Sequence, residues 1–550
     1  MNQNNHHIII FFVMNLHRTS STIRYSALAA RSINRHNLLG NSVRSLSVKV
    51  NFNDSEASFR SKSIVELVRA YAVFKTCKIK FLVSNADRMI KSSYAILGEG
   101  ITDAVLRRTF FGHFCAGQDT SDMGPTIKRL KAAGIGPILD YAAENDFDEE
   151  DVKPLSNAEQ KIKTRVYDYR DEELCDQRAK IFESCVRSAN ALNFEKDVDG
   201  FAAIKITALG NPILLERMSN AIVEIRNLFL KFDIDGTGEV SKDEFKRQYE
   251  KYFTNDMNVE EVFKYINRDD DDTIDYVEWS NALTIEELHT MTSHCRARGP
   301  LADATLTEEE RELLLVMRDR INRLAELASE LNVKLMIDAE HTYFQPGIDN
   351  IAETLMRRYN KDRTVIFSTY QMYLTDSHRR LLDDAKRARQ GGYHFACKLV
   401  RGAYMELERA RAVEKHYPSP IHVSKQETHD NYNRAVSYLV DKIADGEKVE
   451  VMIASHNQQS IEMTLQKADQ RGLQPSAPIY FGQLLGMADH LTYSLGGAGY
   501  RAYKYVPYGK IHEVMPYLIR RAQENSDMMG GVSVELNMLK KEIFRRMWPF

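Results

Sequence analysis

Eight short apolar runs, separated by stretches with helical spacing, constrain this chain more than any other feature. They are GIGPILDYA (134–142), AAIKITAL (202–209), VKLMIDAE (333–340), TVIFSTYQMYL (364–374), HFACKLVRGAYM (394–405), VEVMIASHN (449–457), PIYFGQLLGM (478–487) and RAYKYVPYG (501–509). Intervening segments such as GIDNIAETLMRRYN and QQSIEMTLQKADQRG show i, i+3, i+4 apolar spacing between them. Strands alternating with helices imply βαβ units and a parallel sheet, and eight such units predict an α/β fold closed into a (β/α)8 barrel. An open doubly wound sheet is the structural alternative. The 550 residues leave room for more than one domain.

Most of these runs carry polar or reactive residues at or near their ends. Lys205 lies in the second, Asp338 and Glu340 close the third, and Lys398 and Arg401 lie in the fifth. His456 and Asn457 close the sixth, and Tyr505 lies in the last. In a barrel the C-terminal strand ends converge on one mouth, where active sites are built. The net charge of -3 gives no electrostatic case for nucleic acid. No apolar run is long enough to span a bilayer. Six scattered cysteines form no CxxC pair, which argues against a zinc site or redox dithiol and for reduced, mostly buried thiols. The first 53 residues contain no Asp or Glu but hold Arg18, Arg24, Arg31, Arg35 and Arg44 among many serines. That composition reads as a mitochondrial transit peptide over residues 1–50, with a disordered basic tail as the bland alternative. Helical patterns then fill 51–130.

The gap from 210 to 332 is too long for one helix and contains two acidic twelve-residue loops. In DIDGTGEVSKDE (233–244), Asp233, Asp235, Thr237, Glu239, Ser241 and Glu244 stand at positions 1, 3, 5, 7, 9 and 12, with Gly238 at 6. This is the EF-hand calcium pattern: a hard cation needs six or more oxygens, and position 12 supplies two from one glutamate. In NRDDDDTIDYVE (267–278), Asn267, Asp269, Asp271, Thr273, Asp275 and Glu278 fill the same places, but Asp272 replaces the glycine. Aspartate tolerates positive φ better than most residues. Val240 and Ile274, at position 8 of each loop, are placed to pair. An acidic solvated surface is the bland alternative. A calcium sensor or scaffold with an inactive barrel is the functional rival.

PYLIRRAQEN (516–525) puts Tyr517, Arg520, Arg521 and Glu524 on one helix face. Together with IDAE (337–340), KLVRGAYM (398–405), ASHN (454–457), FGQLLGM (481–487) and KYVPYG (504–509), this segment resembles proline dehydrogenase (proline oxidase) of the mitochondrial eukaryotic type. AAIKITALG (202–210) extends the likeness backwards.

The resemblance implies a distorted (β/α)8 barrel and a noncovalent FAD. It implies oxidation of L-proline to Δ1-pyrroline-5-carboxylate. Electrons would pass to ubiquinone, with peripheral contact at the matrix side of the mitochondrial inner membrane. It places Asp338 and Lys398 at catalytic positions, Arg520, Arg521 and Lys205 at the substrate carboxylate, and Leu484, Tyr505 and Tyr517 around the proline ring. It places Ala339, Ser368, Lys398, Val400, Arg401, Gly402, Ala403, Ser455, His456 and Glu524 at the flavin. Two guanidiniums fork a carboxylate with charge-assisted hydrogen bonds, which lysine does less well. Enzymes of the related hydroxyproline branch carry a small residue where Tyr505 stands, so this chain is expected to prefer proline; hydroxyproline is the alternative substrate. Lys398, Ser368 and Met405 depart from the bacterial pattern, which has arginine, glutamine and tryptophan there. No GxGxxG occurs in the right context, which disfavours a Rossmann site. The expected organisation is thus a leader (1–50), a helical arm (51–130), a first barrel part (131–210), an EF-hand-like insertion (211–300) and the rest of the barrel (301–550).

Overall fold

The computed structural model describes residues 50–142, 145–148, 163–166, 172–191, 199–254, 258–268, 271–285, 288–527 and 529–548. All but the last residue of the leader expected over 1–50, and the loop residue Asp269, lie outside them. All eight apolar runs contain strands: β1 Ile135–Tyr141, β2 Gly200–Ile204, β3 Val333–Ile337, β4 Ile366–Gln371, β5 Phe395–Val400, β6 Val449–Ala454, β7 Ile479–Leu484 and β8 Arg501–Tyr508. They pair in parallel and in sequence, and β1 closes the ring on β8 through seven residue pairs, Ile135↔Ala502 to Tyr141↔Tyr508. The closed barrel replaces the open-sheet alternative.

Alternation along each strand sorts the side chains. Ile138, Phe201, Ala203, Met336, Phe367, Ala396, Met452, Tyr480 and Tyr503 fill the barrel interior. Their sequence neighbours, such as Leu139, Ala202, Leu335 and Cys397, pack outward against the helices. At the N-terminal mouth, Lys334 of β3 reaches Glu450 at 2.7 Å, and the Tyr480 hydroxyl donates to Glu450 at 2.8 Å and to Asp199 at 3.0 Å. Charge at that end reads as stability rather than chemistry. The second run departs from a plain strand. After Ile204 it becomes a 3-10 turn, Ile206–Ala208, because the Thr207 N–H is drawn to the Glu340 carboxylate at 3.1 Å.

Six helices between Ser55 and Ala132 precede β1. Phe59, Leu67 and Phe74 pack there against Leu536 and Leu539 of the last helix, Met529–Met547. Helix Pro212–Phe232 begins on the barrel and ends elsewhere: Leu214, Leu215 and Met218 join the barrel's outer core, whereas Phe229 and Phe232 pack with Phe245, Phe263 and Trp279. The insertion therefore starts inside a continuous helix rather than at residue 211. Ala304 still belongs to its core, and Leu306 is back in that of the barrel.

Two helix–loop–helix units follow one another in the insertion. The short strands Glu239–Ser241 and Thr273–Asp275 join their loops antiparallel, with Val240 opposite Ile274 and both side chains buried. Gly238 has φ 85° and Asp272 φ 69°, so the aspartate does adopt the left-handed backbone at position 6.

Candidate active site

The C-terminal strand ends bring opposite charges into the barrel mouth. Lys398 alternates with Ala396 and Tyr505 with Tyr503, so both point inward above the apolar interior layer. Asp338 follows β3 directly. One of its carboxylate oxygens, Oδ1, accepts from Lys398 Nζ, and the other accepts from the Tyr505 hydroxyl at 2.6 Å. Lys205 Nζ, just past β2, lies 3.9 Å from Asp338 Oδ2 and 3.5 Å from Asp140 Oδ1. Asp140, Lys205, Asp338 and Lys398 are all buried, and Tyr505 is half-buried.

Burial alone would raise the Asp338 carboxyl, but Lys398 and Lys205 outweigh it and hold the group below its usual range, ionised. Burial, followed by the charges of Asp140 and Asp338, pushes the Tyr505 hydroxyl far up, so it stays a donor. Asp140 is a site residue that the sequence reading passed over. Its signal was there: it is the only acid in an otherwise apolar run, one residue before the end of β1.

Over this mouth lies the helix Met515–Asp527. Its Tyr517, Leu518 and Ala522 share an apolar cluster with Ala142 and Met487, which follow β1 and β7, and Leu484 borders the same cluster. Arg520 and Arg521 are buried on it, and Arg521 Nη2 donates to Glu524 at 2.6 Å. The Arg521 guanidinium stands 4.8 Å from the centre of the Tyr517 ring. Among the described residues, the buried Arg521 Nε and the Tyr517 hydroxyl have no hydrogen-bond partner. Polar groups left so are an expected mark of a ligand site. Leu484 is fixed from both sides, its N–H donated to His456 Nε2 at 3.1 Å and its carbonyl accepting from Lys504 Nζ at 3.1 Å. Burial, with Lys504, Arg521 and Arg401 adding to it, lowers His456 to about 3, so the ring is neutral and accepts at Nε2.

The remaining positions gather around Arg401. Its Nη1 donates to Ser455 Oγ at 2.7 Å, its Nη2 to Ser460 Oγ at 2.9 Å and its Nε to His429 Nδ1 at 2.9 Å. No carboxylate is among these partners, and burial lowers the pKa of the guanidinium. Gly402 has φ 131°, and a Cβ there would meet the Tyr373 ring at 2.4 Å, so only glycine fits. Val400 is half-buried, Ala403 exposed, and Ala339 half-buried beside Asp338. Ser368 does not join the group. It pairs in register with Cys397 and alternates with the inward Phe367, which turns it to the outer face of β4; Thr369 is the residue in register with Lys398.

The insertion's acidic loops are separate from this mouth. Asp233 is buried; its Oδ2 accepts the Gly238 N–H at 3.1 Å, and its Oδ1 has no partner among the described residues. Thr237 donates its N–H to Asp235 at 3.2 Å and its hydroxyl to the Glu239 carbonyl at 3.0 Å, and Glu244 accepts the Ser241 hydroxyl at 2.8 Å. In the second loop Asn267 is buried, Asp271 accepts from Thr273, and Glu278 accepts the Arg268 N–H at 2.7 Å. Asp275 is bridged to Lys386 of the barrel helix Ser377–Gly391 at 2.6 Å. Among the described residues no three His, Cys, Asp or Glu side chains are grouped to hold a metal ion.

Residues 123–534 match the proline dehydrogenase family. The chain is 33% identical over 556 residues to "Proline dehydrogenase 1, mitochondrial" of Drosophila melanogaster, across 90% of this chain and 81% of that one. It is 28% identical to the hydroxyproline dehydrogenase of Xenopus laevis, across 89% of each. Among solved structures, proline utilization A from Bdellovibrio bacteriovorus inactivated by N-propargylglycine superposes with a TM-score of 0.54 at 16% identity. That overlap covers 88% of this chain but 39% of the bacterial one, and shows a shared fold. A family match through the whole barrel, and a relative this similar along nearly the whole chain, make the ordered strand-end motifs more than a coincidence of composition: the chain belongs to the proline dehydrogenase family and is an enzyme of it.

Proposed function

We propose that the barrel mouth oxidises L-proline to Δ1-pyrroline-5-carboxylate on a bound FAD, the first step of proline catabolism. Electrons then pass to ubiquinone at the matrix side of the mitochondrial inner membrane. The observation that carries this reading is the linked set Asp338–Lys398–Lys205–Tyr505 lying with the Arg520–Arg521 helix at one barrel mouth. The reaction removes a hydride from the ring carbon beside nitrogen and a proton from nitrogen, leaving a C=N bond. Arg520 and Arg521 take the substrate carboxylate, with Lys205 as the third cation. The four cations Lys205, Lys398, Arg520 and Arg521 exceed the three carboxylates Asp140, Asp338 and Glu524 by one charge. That excess matches a substrate with an ionised carboxylate and a neutral amine, the form the chemistry needs. Leu484, Tyr505 and Tyr517 enclose the ring and exclude water. The Tyr505 hydroxyl, tied to Asp338, would crowd a 4-hydroxyl on the ring, which supports proline over hydroxyproline.

Val400 to Ala403, Ser455 and His456 would hold FAD, with Ala339, Lys398 and Glu524 near it. Arg401, a half-buried cation with no carboxylate among its described partners, suits the diphosphate. FAD, when bound, supplies the two-electron acceptor. The purified protein is expected to be yellow and to bleach when proline is added without oxygen, with hydroxyproline far less effective. A colourless protein ends this reading. Equal bleaching by both substrates shifts it to hydroxyproline dehydrogenase.

A second role is favoured by the buried Asp233 Oδ1, which has no hydrogen-bond partner among the described residues. We infer that calcium binds the loop 233–244 through Asp233, Asp235, Thr237, Glu239 and Glu244. The loop 267–278 offers Asn267, Asp269, Asp271, Thr273 and Glu278 in the same way. Calcium also takes carbonyl and hydroxyl oxygens, so it does not need three grouped carboxylates. Titration calorimetry should show calcium binding that Glu244→Gln weakens at least about tenfold, since the bidentate ligand is lost. Identical heats with and without the substitution would remove the first loop as a site. Calcium binding by a protein that proline never bleaches would favour the interaction-protein alternative.

A further inference from the structure

The helix Ala86–Arg108 is 23 residues long and buries only Thr102 and Leu106. A surface helix of a globular protein normally turns an apolar stripe inward. This one exposes Met89, Ile96, Leu97, Ile101 and Val105, and the preceding helix Lys80–Ser84 adds Phe81. Phe81 is 72% exposed, Ile96 80% and Ile101 58%. Clustered exposed apolar side chains of this kind mark an interaction site. Gly98, at φ 76° and ψ 170°, breaks the helix between Leu97 and Ile101. Residues 78–108 hold six Lys and Arg against three Asp and Glu, in a chain whose net charge is -3. The buried side of the same segment packs toward the catalytic mouth: Val83 and Leu106 share an apolar cluster with Tyr517, Leu518 and Ala522 of the helix that carries Arg520 and Arg521.

We propose that the segment Lys78–Arg108 is the surface by which the protein docks onto an anionic lipid bilayer. Its apolar side chains would enter at headgroup depth while its lysines and arginines meet lipid phosphates. No helix among the described residues is long and apolar enough to cross a membrane, so this face lies on the bilayer rather than through it. The charge argues against another occupant. A second copy would set like charge against like. For its purpose the inference rests on the quinone reading, since docking here places the element roofing the site against the phase that dissolves a quinone. Its test is separate from that reading.

The test is flotation of the full-length flavoprotein with phosphatidylcholine vesicles, with and without phosphatidylglycerol. The chain should float with the anionic vesicles and be released by high salt. Combining Phe81→Ser, Ile96→Ser and Ile101→Ser should cut the bound fraction at least about tenfold. Turnover with a water-soluble dye acceptor should be unchanged, because these side chains lie outside the barrel mouth. Combining Lys80→Glu, Arg88→Glu and Lys91→Glu should abolish the preference for anionic vesicles. A wild-type chain that does not float overturns the proposal, as does equal flotation of the apolar triple variant. A light-scattering mass that halves in that variant also overturns it and assigns the face to self-association. Dye-linked turnover of the unsubstituted chain tests the proposed reaction alone, so the two readings fail separately.

Discussion

Replacing Arg521 with methionine is expected to raise KM for proline about a hundredfold, because a forked charge-assisted contact to a carboxylate is worth about 3 kcal/mol. The substitution removes little else. Glu524, the partner of Arg521 at 2.6 Å, is a third exposed on its side chain and can take water instead. The Tyr517 ring loses a cation 4.8 Å away, but methionine refills most of the apolar volume against it. Flavin content and melting temperature should therefore hold while KM moves. Arg521→Lys keeps the charge and loses the planar fork, so its KM should fall between, about tenfold above wild type. The ion pair to Glu524 and the Tyr517 ring define the surroundings of this side chain, which makes it the sharper of the two arginines to test. An unchanged KM in the methionine variant would mean that the carboxylate is held elsewhere, and Lys205 would be the next candidate.

What could be read ahead of the structure divides along the range of the forces involved. Each barrel strand was legible because alternation, run length and the flanking helical period are local properties. Polar residues in or at the ends of apolar runs drew attention to Lys398, Tyr505 and Asp338, and Asp140 would have been noticed had the first run been read as strictly. Ser368 shows the limit of carrying a position over from a motif. Whether a strand residue faces the mouth depends on the register of its strand, and Phe367 filling the interior fixes Ser368 on the other face. A related limit holds near the expected 210/211 boundary: helix Pro212–Phe232 has one continuous period but two different cores along its length, and periodicity cannot report which core it meets. Long-range charge was invisible. Lys62 from the N-terminal helices and Lys504 of β8 both hold Asp489, and Glu535 of the last helix accepts the N–H groups of Ala488 at 3.0 Å and Asp489 at 2.9 Å. These groups lie far apart in sequence, yet they set the loop after Leu484. Nothing in the spacing of lysines and acids foretells such a cluster.

Asp338 is the single side chain whose loss should cost most. Removing one member of a buried ion pair leaves the others uncompensated, at about 3–5 kcal/mol. Asp338→Ala strands Lys398, withdraws one acceptor of the Tyr505 hydroxyl, which also meets Asp140, and takes from Lys205 a carboxylate 3.9 Å away, leaving Asp140 at 3.5 Å. The melting temperature should fall by about 3–5 °C, taking about one degree per kcal/mol for a chain of this size. Turnover should be lost with it, because the lysines and Tyr505 would no longer be held in their places. Asp338→Asn separates the two effects. The amide keeps the shape and one acceptor for Tyr505, so much of the stability should return, but the negative charge that balances Lys398 and Lys205 does not.

The pH dependence then identifies the charge as the cause. In the folded protein burial pushes the Asp338 carboxyl up, yet Lys398 and Lys205 bring it below its ordinary value, so the folded state holds that proton less tightly than the unfolded chain. Its contribution is complete above the unfolded pKa of about 4 and fades as pH falls through the lower folded value. The stability gap between wild type and Asp338→Asn should thus be flat above about pH 4 and narrow below it. A gap that stays constant into acid would show that Asp338 acts there as a neutral hydrogen-bonding group. The charge balance that matches this mouth to an ionised carboxylate with a neutral amine would then have to be abandoned.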